Sequence, residues 1–329
     1  MIQNQMIVPI KTLKIDTLTV QVYNSRQDMG IAAYELYKKH VQELMIGQEA
    51  VRAIFAAAHS QDDFLKALAD DTEIDFTRIV GFHMDEYMGL GKEASQNFGN
   101  FLREAIFSRR PFREVNYIQS DAIDITAECK RYEELLRQAP LDIVSMGIGE
   151  NGHIAFNDPH EARFDEKAWV RQTSLDEVCR RQQVNDGEFA VLGDVPETAL
   201  TLTIPALMSC KKVVCIVPTV RKAQAVSQTL YGPISEACPA SVLRMHPAAT
   251  LFLDNHSKAS FCFEAVNSSK AICITTSIFP AWAVAISCFI AVLSSCLLLV
   301  KQPNAIPSAL SKLHICCLLY TSPSPRDCS

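Results

Sequence analysis

Two groups of side chains in this 329-residue chain have the types and spacing to move protons. Asp85 and Glu86 are adjacent acids at the end of the strand-like segment 78–84. A carboxylate held there against an apolar wall is a candidate base for a proton α to a carbonyl. His83, beside them, reads as packing. His153 follows a Gly-rich turn and lies between Asn151 and Asp158. A neighbouring carboxylate orients an imidazole and tunes its basicity, which makes His153 a candidate general acid/base.

The turn itself, Gly147-Ile-Gly149-Glu-Asn-Gly152, fits the pattern G-x-G-x-x-G. Dinucleotide binding needs a helix directly after that pattern and an acid at the end of the next strand. Here Pro159 blocks an early helix and no such acid follows, so Gly149 and Gly152 are read as points of close backbone approach to a ligand. A metal on His153, Asp158 and His160 would lack a paired-histidine or cysteine framework, and no metal or redox cofactor is expected. An anionic ligand needs local positive charge. The helix start at Ser60, Lys222 near the start of its helix, and Arg180 or Arg181 are the candidates.

The elements that must position these groups alternate. Strands are expected at Leu18–Tyr23, Ala53–Ala58, Arg78–Met84, Val115–Ile118, Asp142–Met146, Lys212–Val217 and Ala249–Leu253. Helices are expected from Ser25 to about Ile46, after a Ser60 cap, over Asn97–Ile106, over Ala127–Gln138 and around Val220–Leu230. Such alternation implies an α/β fold, a mostly parallel sheet with helices on both faces, and ligands at the carboxyl ends of its strands. That rule selects the loops 58–61, 84–88 and 147–159.

Composition divides the chain. The net charge is −6, which disfavours non-specific nucleic-acid binding. Seven of the twelve cysteines fall in 261–329, whose four basic and two acidic side chains leave the first 260 residues at −8. The other five cysteines are scattered without a Cys-x-x-Cys pair, and no secretory signal opens the chain, so free thiols in the cytoplasm are expected. The expected organisation is one domain over 1–260 and a Cys-rich apolar tail over 261–329. Within the tail, 281–300 has the length of a membrane span, but Ser and Thr dilute it. The tail is read as non-native sequence, with a genuine membrane anchor as the alternative.

Phe82-His-Met-Asp-Glu-Tyr-Met-Gly-Leu90 and Gly147-Ile-Gly-Glu-Asn-Gly-His-Ile-Ala-Phe-Asn-Asp-Pro159 resemble the two signature loops of glucosamine-6-phosphate deaminases. These form part of a wider group with the galactosamine-6-phosphate isomerases and 6-phosphogluconolactonases. Val217-Pro-Thr-Val-Arg-Lys222-Ala and Leu243-Arg-Met-His-Pro247 are similar too, and the likeness spans about 13–260.

It implies a Rossmann-like, doubly wound domain, no cofactor, a homo-oligomer, and conversion of glucosamine 6-phosphate and water to fructose 6-phosphate and ammonia. It implies Asp85 as the C2 base, His153 as the ring-opening residue with Asn151 and Asp158 as its partners, and Lys222 on the phosphate. Ser60, Gln61, Glu86, Gly149, Gly152 and Arg181 complete the expected binding set. Four departures stand out. Asn151 replaces a frequent Asp, and Asp158 replaces the usual Glu. Phe55-Ala-Ala-Ala-His-Ser60-Gln61 replaces a Gly-rich phosphate loop, and Gln182 falls where a phosphate-binding Arg is usual. A lactonase-like hydrolase and a sugar-phosphate sensor without turnover are the alternatives.

Overall fold

The computed structural model describes residues 7–257. The proposed tail and its 281–300 segment lie outside the described residues. In chain order the elements are β1 (Lys11–Ile15), β2 (Leu18–Tyr23), α1 (Arg26–Gly47), β3 (Val51–Phe55), α2 (Asp62–Asp70), β4 (Ile79–His83), β5 (Asp85–Tyr87), α3 (Phe98–Leu102), β6 (Glu114–Asn116), α4 (Ile125–Arg137) and β7 (Ile143–Met146). They continue with β8 (Val170–Ser174), α5 (Glu177–Asn185), β9 (Thr198–Leu202), α6 (Ile204–Met208), β10 (Lys212–Val217), α7 (Ala223–Tyr231) and β11 (Ala249–Asp254).

Eight strands form one sheet in the order β1-β2-β11-β10-β7-β3-β4-β6. All neighbouring pairs are parallel except the β1–β2 hairpin. Central strands covered on both faces read as continuous apolar runs, and β4, β7 and most of β10 are buried throughout. The expected doubly wound, mostly parallel sheet is therefore present. A second, three-stranded antiparallel sheet, β5-β9-β8, was not expected. It sits directly after β4 in the chain, so only Met84 separates the two sheets there.

Local chemistry sets the boundaries. The Ser25 side chain accepts from the N–H of Asp28 at 3.0 Å and starts α1 where expected. Ser60 does not play that role for α2. A single 3-10 turn, His59–Gln61, intervenes, Gln61 is the cap, and no side chain caps the helix. The aromatic core beside the sheet joins Tyr37, Phe55 and Phe64, with Phe107 and Phe112 edge-on to Phe55. No helix among the described residues is long and apolar enough to cross a membrane.

Candidate active site

One cleft opens where the sheet rule places it, beyond the carboxyl ends of β3, β4, β7 and β10. Ser60, Asp85, Gly149, His153, Gln182 and Lys222 all line it. Of the expected set, the structure gathers Asp85, His153, Ser60, Gly149 and Lys222 at this cleft. Asn151 and Asp158 stand behind His153.

The two adjacent acids part company. Along β5 successive side chains alternate between faces. Asp85 faces the cleft and is only 7% exposed. Burial, with the Glu86 charge second, holds its carboxyl well above the usual range. Glu86 points the other way. Its carboxylate accepts from the N–H groups of Tyr87, Phe98 and Gly99 at 3.0, 2.9 and 2.8 Å. It therefore anchors the start of α3 and is not among the cleft-lining residues, which corrects its expected ligand role. Burial lifts it to about 7 despite those three donors. His83 is packing, as expected: its Nε2 accepts from the Ile118 N–H at 2.7 Å, and burial lowers it to about 3.

The 147–159 loop is built around His153. Gly149 donates its N–H to the His153 carbonyl at 2.9 Å. A Cβ at Gly149 would fall 2.2 Å from the imidazole, so only glycine lets the ring lie against this backbone. Gly152 has φ +89°, and a Cβ there would meet Cys238 Sγ at 2.9 Å. It shapes the turn but does not line the cleft.

His153 Nδ1 stands 3.0 Å from Asp158 Oδ1, close enough for an ion pair but off the line of a good hydrogen bond. Asn151 Nδ2 donates to Asp158 Oδ1 at 2.8 Å and to Asp176 Oδ2 at 2.9 Å. Asn151 Oδ1 accepts the His153 N–H at 3.0 Å, and Asp158 Oδ2 accepts the Asp176 N–H at 3.0 Å. Burial would raise Asp158, but His153, Asn151 and the Asp176 N–H outweigh it and bring the group to about 2. The loop is then tied to β9. Phe156 N–H donates to Thr201 Oγ1 at 3.0 Å, and Asn157 Nδ2 to the Leu202 carbonyl at 2.8 Å. Thr201 is also the register partner of Asp85.

Lys222 lines the same cleft, only 7% exposed, its Nζ without a hydrogen-bond partner. Burial lowers it to about 8, against the pull of Asp186 and Glu150. A buried ammonium without a partner is costly and points to an anionic ligand that completes it. Ser60 lines the cleft as well, with its Oγ accepting from Gln61 Nε2 at 3.0 Å. Gln61 itself is fully buried and braces the Met146 and Ile216 carbonyls from behind.

Arg181 is corrected. It pairs with Glu177 on the outer face of α5 and does not reach the cleft. Arg180 is likewise occupied, by the Leu192 and Val195 carbonyls. Gln182 takes the cleft-facing position, its Oε1 accepting from the Glu150 N–H at 2.8 Å. Sequence reasoning missed Asp176, Asp186, Glu188 and the supporting strands β8 and β9. A signal existed for Asp176. It caps α5 by accepting from the Cys179 N–H at 2.6 Å, a role that an acid three residues ahead of an amide performs at many helix starts.

Comparison with known proteins identifies the family. The profile of the glucosamine-6-phosphate isomerases/6-phosphogluconolactonase family matches residues 24–252. The chain is 35% identical over 205 residues to a glucosamine-6-phosphate deaminase of Listeria welshimeri, which covers 62% of this chain and 86% of that protein. It is 37% identical over 194 residues to one of Bacillus thuringiensis, covering 59% and 72%. The solved structure of a monomeric glucosamine-6-phosphate deaminase superposes with a TM-score of 0.67 at 26% identity, over 73% of this chain and 98% of that one. A 6-phosphogluconolactonase of Thermotoga maritima shares the fold, with a TM-score of 0.60 at 18% identity over 72% and 100%.

A mostly parallel α/β sheet with a buried acid, a carboxylate-backed histidine and an uncompensated lysine at one strand-end cleft defines the class. The chain belongs to the glucosamine-6-phosphate isomerase/6-phosphogluconolactonase family.

Proposed function

We propose that this chain is an amino-sugar-phosphate deaminase that converts glucosamine 6-phosphate and water to fructose 6-phosphate and ammonia. The observation that carries the reading is the shared cleft. A buried carboxylate, Asp85, a histidine backed by a carboxylate, and the unpartnered Lys222 ammonium all line it. The relatives named above are the second support.

The chemistry follows from these groups. A cyclic amino-sugar phosphate has no acidic C2 proton until its ring opens. His153 takes the proton from the anomeric hydroxyl and delivers one to the ring oxygen. Asp158, ionised at any physiological pH, stabilises the imidazolium that forms on the way. Asp85 then removes the C2 proton, now α to a carbonyl, and returns it to C1. The enolamine becomes an imine at C2, water adds there, and ammonia leaves. A base whose pKa is raised by burial suits this shuttle, because it must both accept and give back one proton. Lys222 holds the phosphate as a point charge, with Ser60 beside it.

The ammonia assay on a panel of amino-sugar phosphates, run beside a lactone-hydrolysis assay, tests the reading. Ammonia from glucosamine 6-phosphate supports it; hydrolysis of a phosphogluconolactone without ammonia overturns it in favour of the lactonase branch, and binding without either product favours a sensor. Residues 1–260 carry the activity in this reading, with the tail dispensable; an active, folded 1–260 chain is the expected result. The free thiols of Cys129, Cys179, Cys210, Cys215 and Cys238 support a reducing, cytoplasmic setting. A homo-oligomer remains the expectation, read out by sedimentation.

A further inference from the structure

We propose that His153, Asp158 and Cys179 form an inhibitory site for a zinc-class divalent cation, set behind the proposed catalytic histidine. One donor atom from each residue lies within 4.8 Å of the other two, and all three residues are buried. His153 Nδ1 is the second observation. It is buried, 3.0 Å from Asp158 Oδ1, and still without a hydrogen-bond partner.

Donor chemistry selects the cation. One imidazole nitrogen, one carboxylate oxygen and one sulfur suit zinc and its relatives, whereas calcium and magnesium require oxygen ligands. Zinc at ~2.0 Å from nitrogen and oxygen and ~2.3 Å from sulfur holds its donors roughly 3.3–3.6 Å apart in a tetrahedron. The histidine–aspartate separation already approximates this, so Cys179 makes the main adjustment, of up to roughly 1.5 Å. A water molecule completes the fourth position. Burial and the nearby Asp158 and Asp176 charges keep the Cys179 thiol protonated in the metal-free protein. On binding, the S–H bond breaks, the sulfur bonds to the metal, and the proton leaves to solvent; no electron is transferred.

The site lies outside the cleft lining except for His153. Bound metal would occupy the Nδ1 lone pair and leave the ring proton on Nε2, so the ring could no longer accept a proton from the substrate side. The metal is thus an inhibitor rather than a cofactor. The inhibition rests on the proposed role of His153, but the binding does not.

The experiment uses the full chain, freed of metal by a chelator, with Cys179→Ala and Cys179→Ser in parallel. The seven tail cysteines are common to all three proteins, so the difference between parent and variant isolates the site. Cobalt(II) is titrated first, then displaced by zinc. The expected result is one additional equivalent in the parent, with a thiolate-to-cobalt charge-transfer band that both variants lack. Zinc is expected to abolish ammonia release in the parent and a chelator to restore it. Both variants should keep their metal-free turnover and need at least tenfold more zinc for the same loss. Equal stoichiometry and equal zinc sensitivity in parent and variants would overturn the site. The extra equivalent and its band without any loss of turnover would support the site and overturn the role assigned to His153.

Discussion

The groups around His153 and around Lys222 are finished differently. Behind His153 the polar groups are paired, although His153 Nδ1 itself has no hydrogen-bond partner: Asn151 bridges Asp158 and Asp176, and Asp158 in turn accepts the Asp176 N–H and faces His153. Lys222 has no hydrogen-bond partner, although Asp186 and Glu150 stand near enough to favour its charge. In the proposed reaction the two groups have different tasks. Proton transfer requires groups fixed in geometry before the substrate arrives, because reorganising them during the reaction would add to the barrier. Binding an anion gains most from a cation that is desolvated and incomplete until the ligand supplies the missing partner. The protein carries the strain of one buried, unpaired ammonium where the phosphate of the proposed substrate would bind.

The largest expected effect breaks the proton-handling group. Asp85→Asn keeps the shape and removes the base, and turnover should fall by ~10²–10⁴ with KM little changed. An Asp85→Asn protein with parental kcat would remove Asp85 from the mechanism.

Loss of the lysine should have the opposite signature. Lys222→Ala removes one charge-assisted contact of about 1.5–3 kcal/mol, so KM should rise roughly 10- to 100-fold while kcat holds. The pH dependence sharpens this. Burial lowers Lys222 to about 8, so in the free protein its positive charge fades as pH climbs through 8. In the parent kcat/KM for the phosphorylated sugar should decline above that pH; in Lys222→Ala that limb should be absent.

A smaller effect concerns the support behind His153. Asn151→Asp would set a third carboxylate against Asp158 and Asp176, replacing two donated hydrogen bonds with like charge. It should cost about 1–3 kcal/mol of stability, visible as a lower Tm near neutral pH and a partial recovery under acidic conditions that protonate the new group. An unchanged Tm would show that the network tolerates the charge. The smallest effect is a gain: Gln182→Arg adds a second cation to the cleft and should lower KM for the phosphorylated sugar by roughly threefold to tenfold, with the nearby Asp186 offsetting part of the attraction.

Much of the scaffold was legible in the residues. β2 and β10 fall on the expected spans, α1 begins at the Ser25 cap, and the three loops chosen by the strand-end rule all reach the cleft. Those signals are local: apolar runs bounded by turns, and a hydroxyl three residues before a free amide. The stretch 160–211 gave no such signal, and β8, α5, β9 and α6 went unassigned. β8 is half exposed, with Arg171 and Gln172 in its middle, and α5 is mostly polar, so neither shows a clear apolar period. Ser60 misled for a related reason. It has the right chemistry for a cap, but the chain takes one 3-10 turn first and its hydroxyl is used by Gln61.

By itself, the sequence determined that an acid pair, a histidine with two polar neighbours and a lysine would stand at the strand ends of a parallel sheet, because period and loop chemistry are short-range properties. Residue types and spacing did not decide which acid faces the cleft, although the family resemblance pointed to Asp85. Alternation along β5 guarantees only that Asp85 and Glu86 point to opposite sides. The side that becomes the cleft was decided by β9, more than a hundred residues away, where Thr201 pairs with Asp85 in register and also receives the Phe156 N–H of the histidine loop. Arg181 failed for the same reason: on a helix, one residue is a turn of about 100°, and packing gave the inward face of α5 to Gln182. Which of two neighbours becomes functional is a matter of long-range contact, and only the tertiary structure sets it.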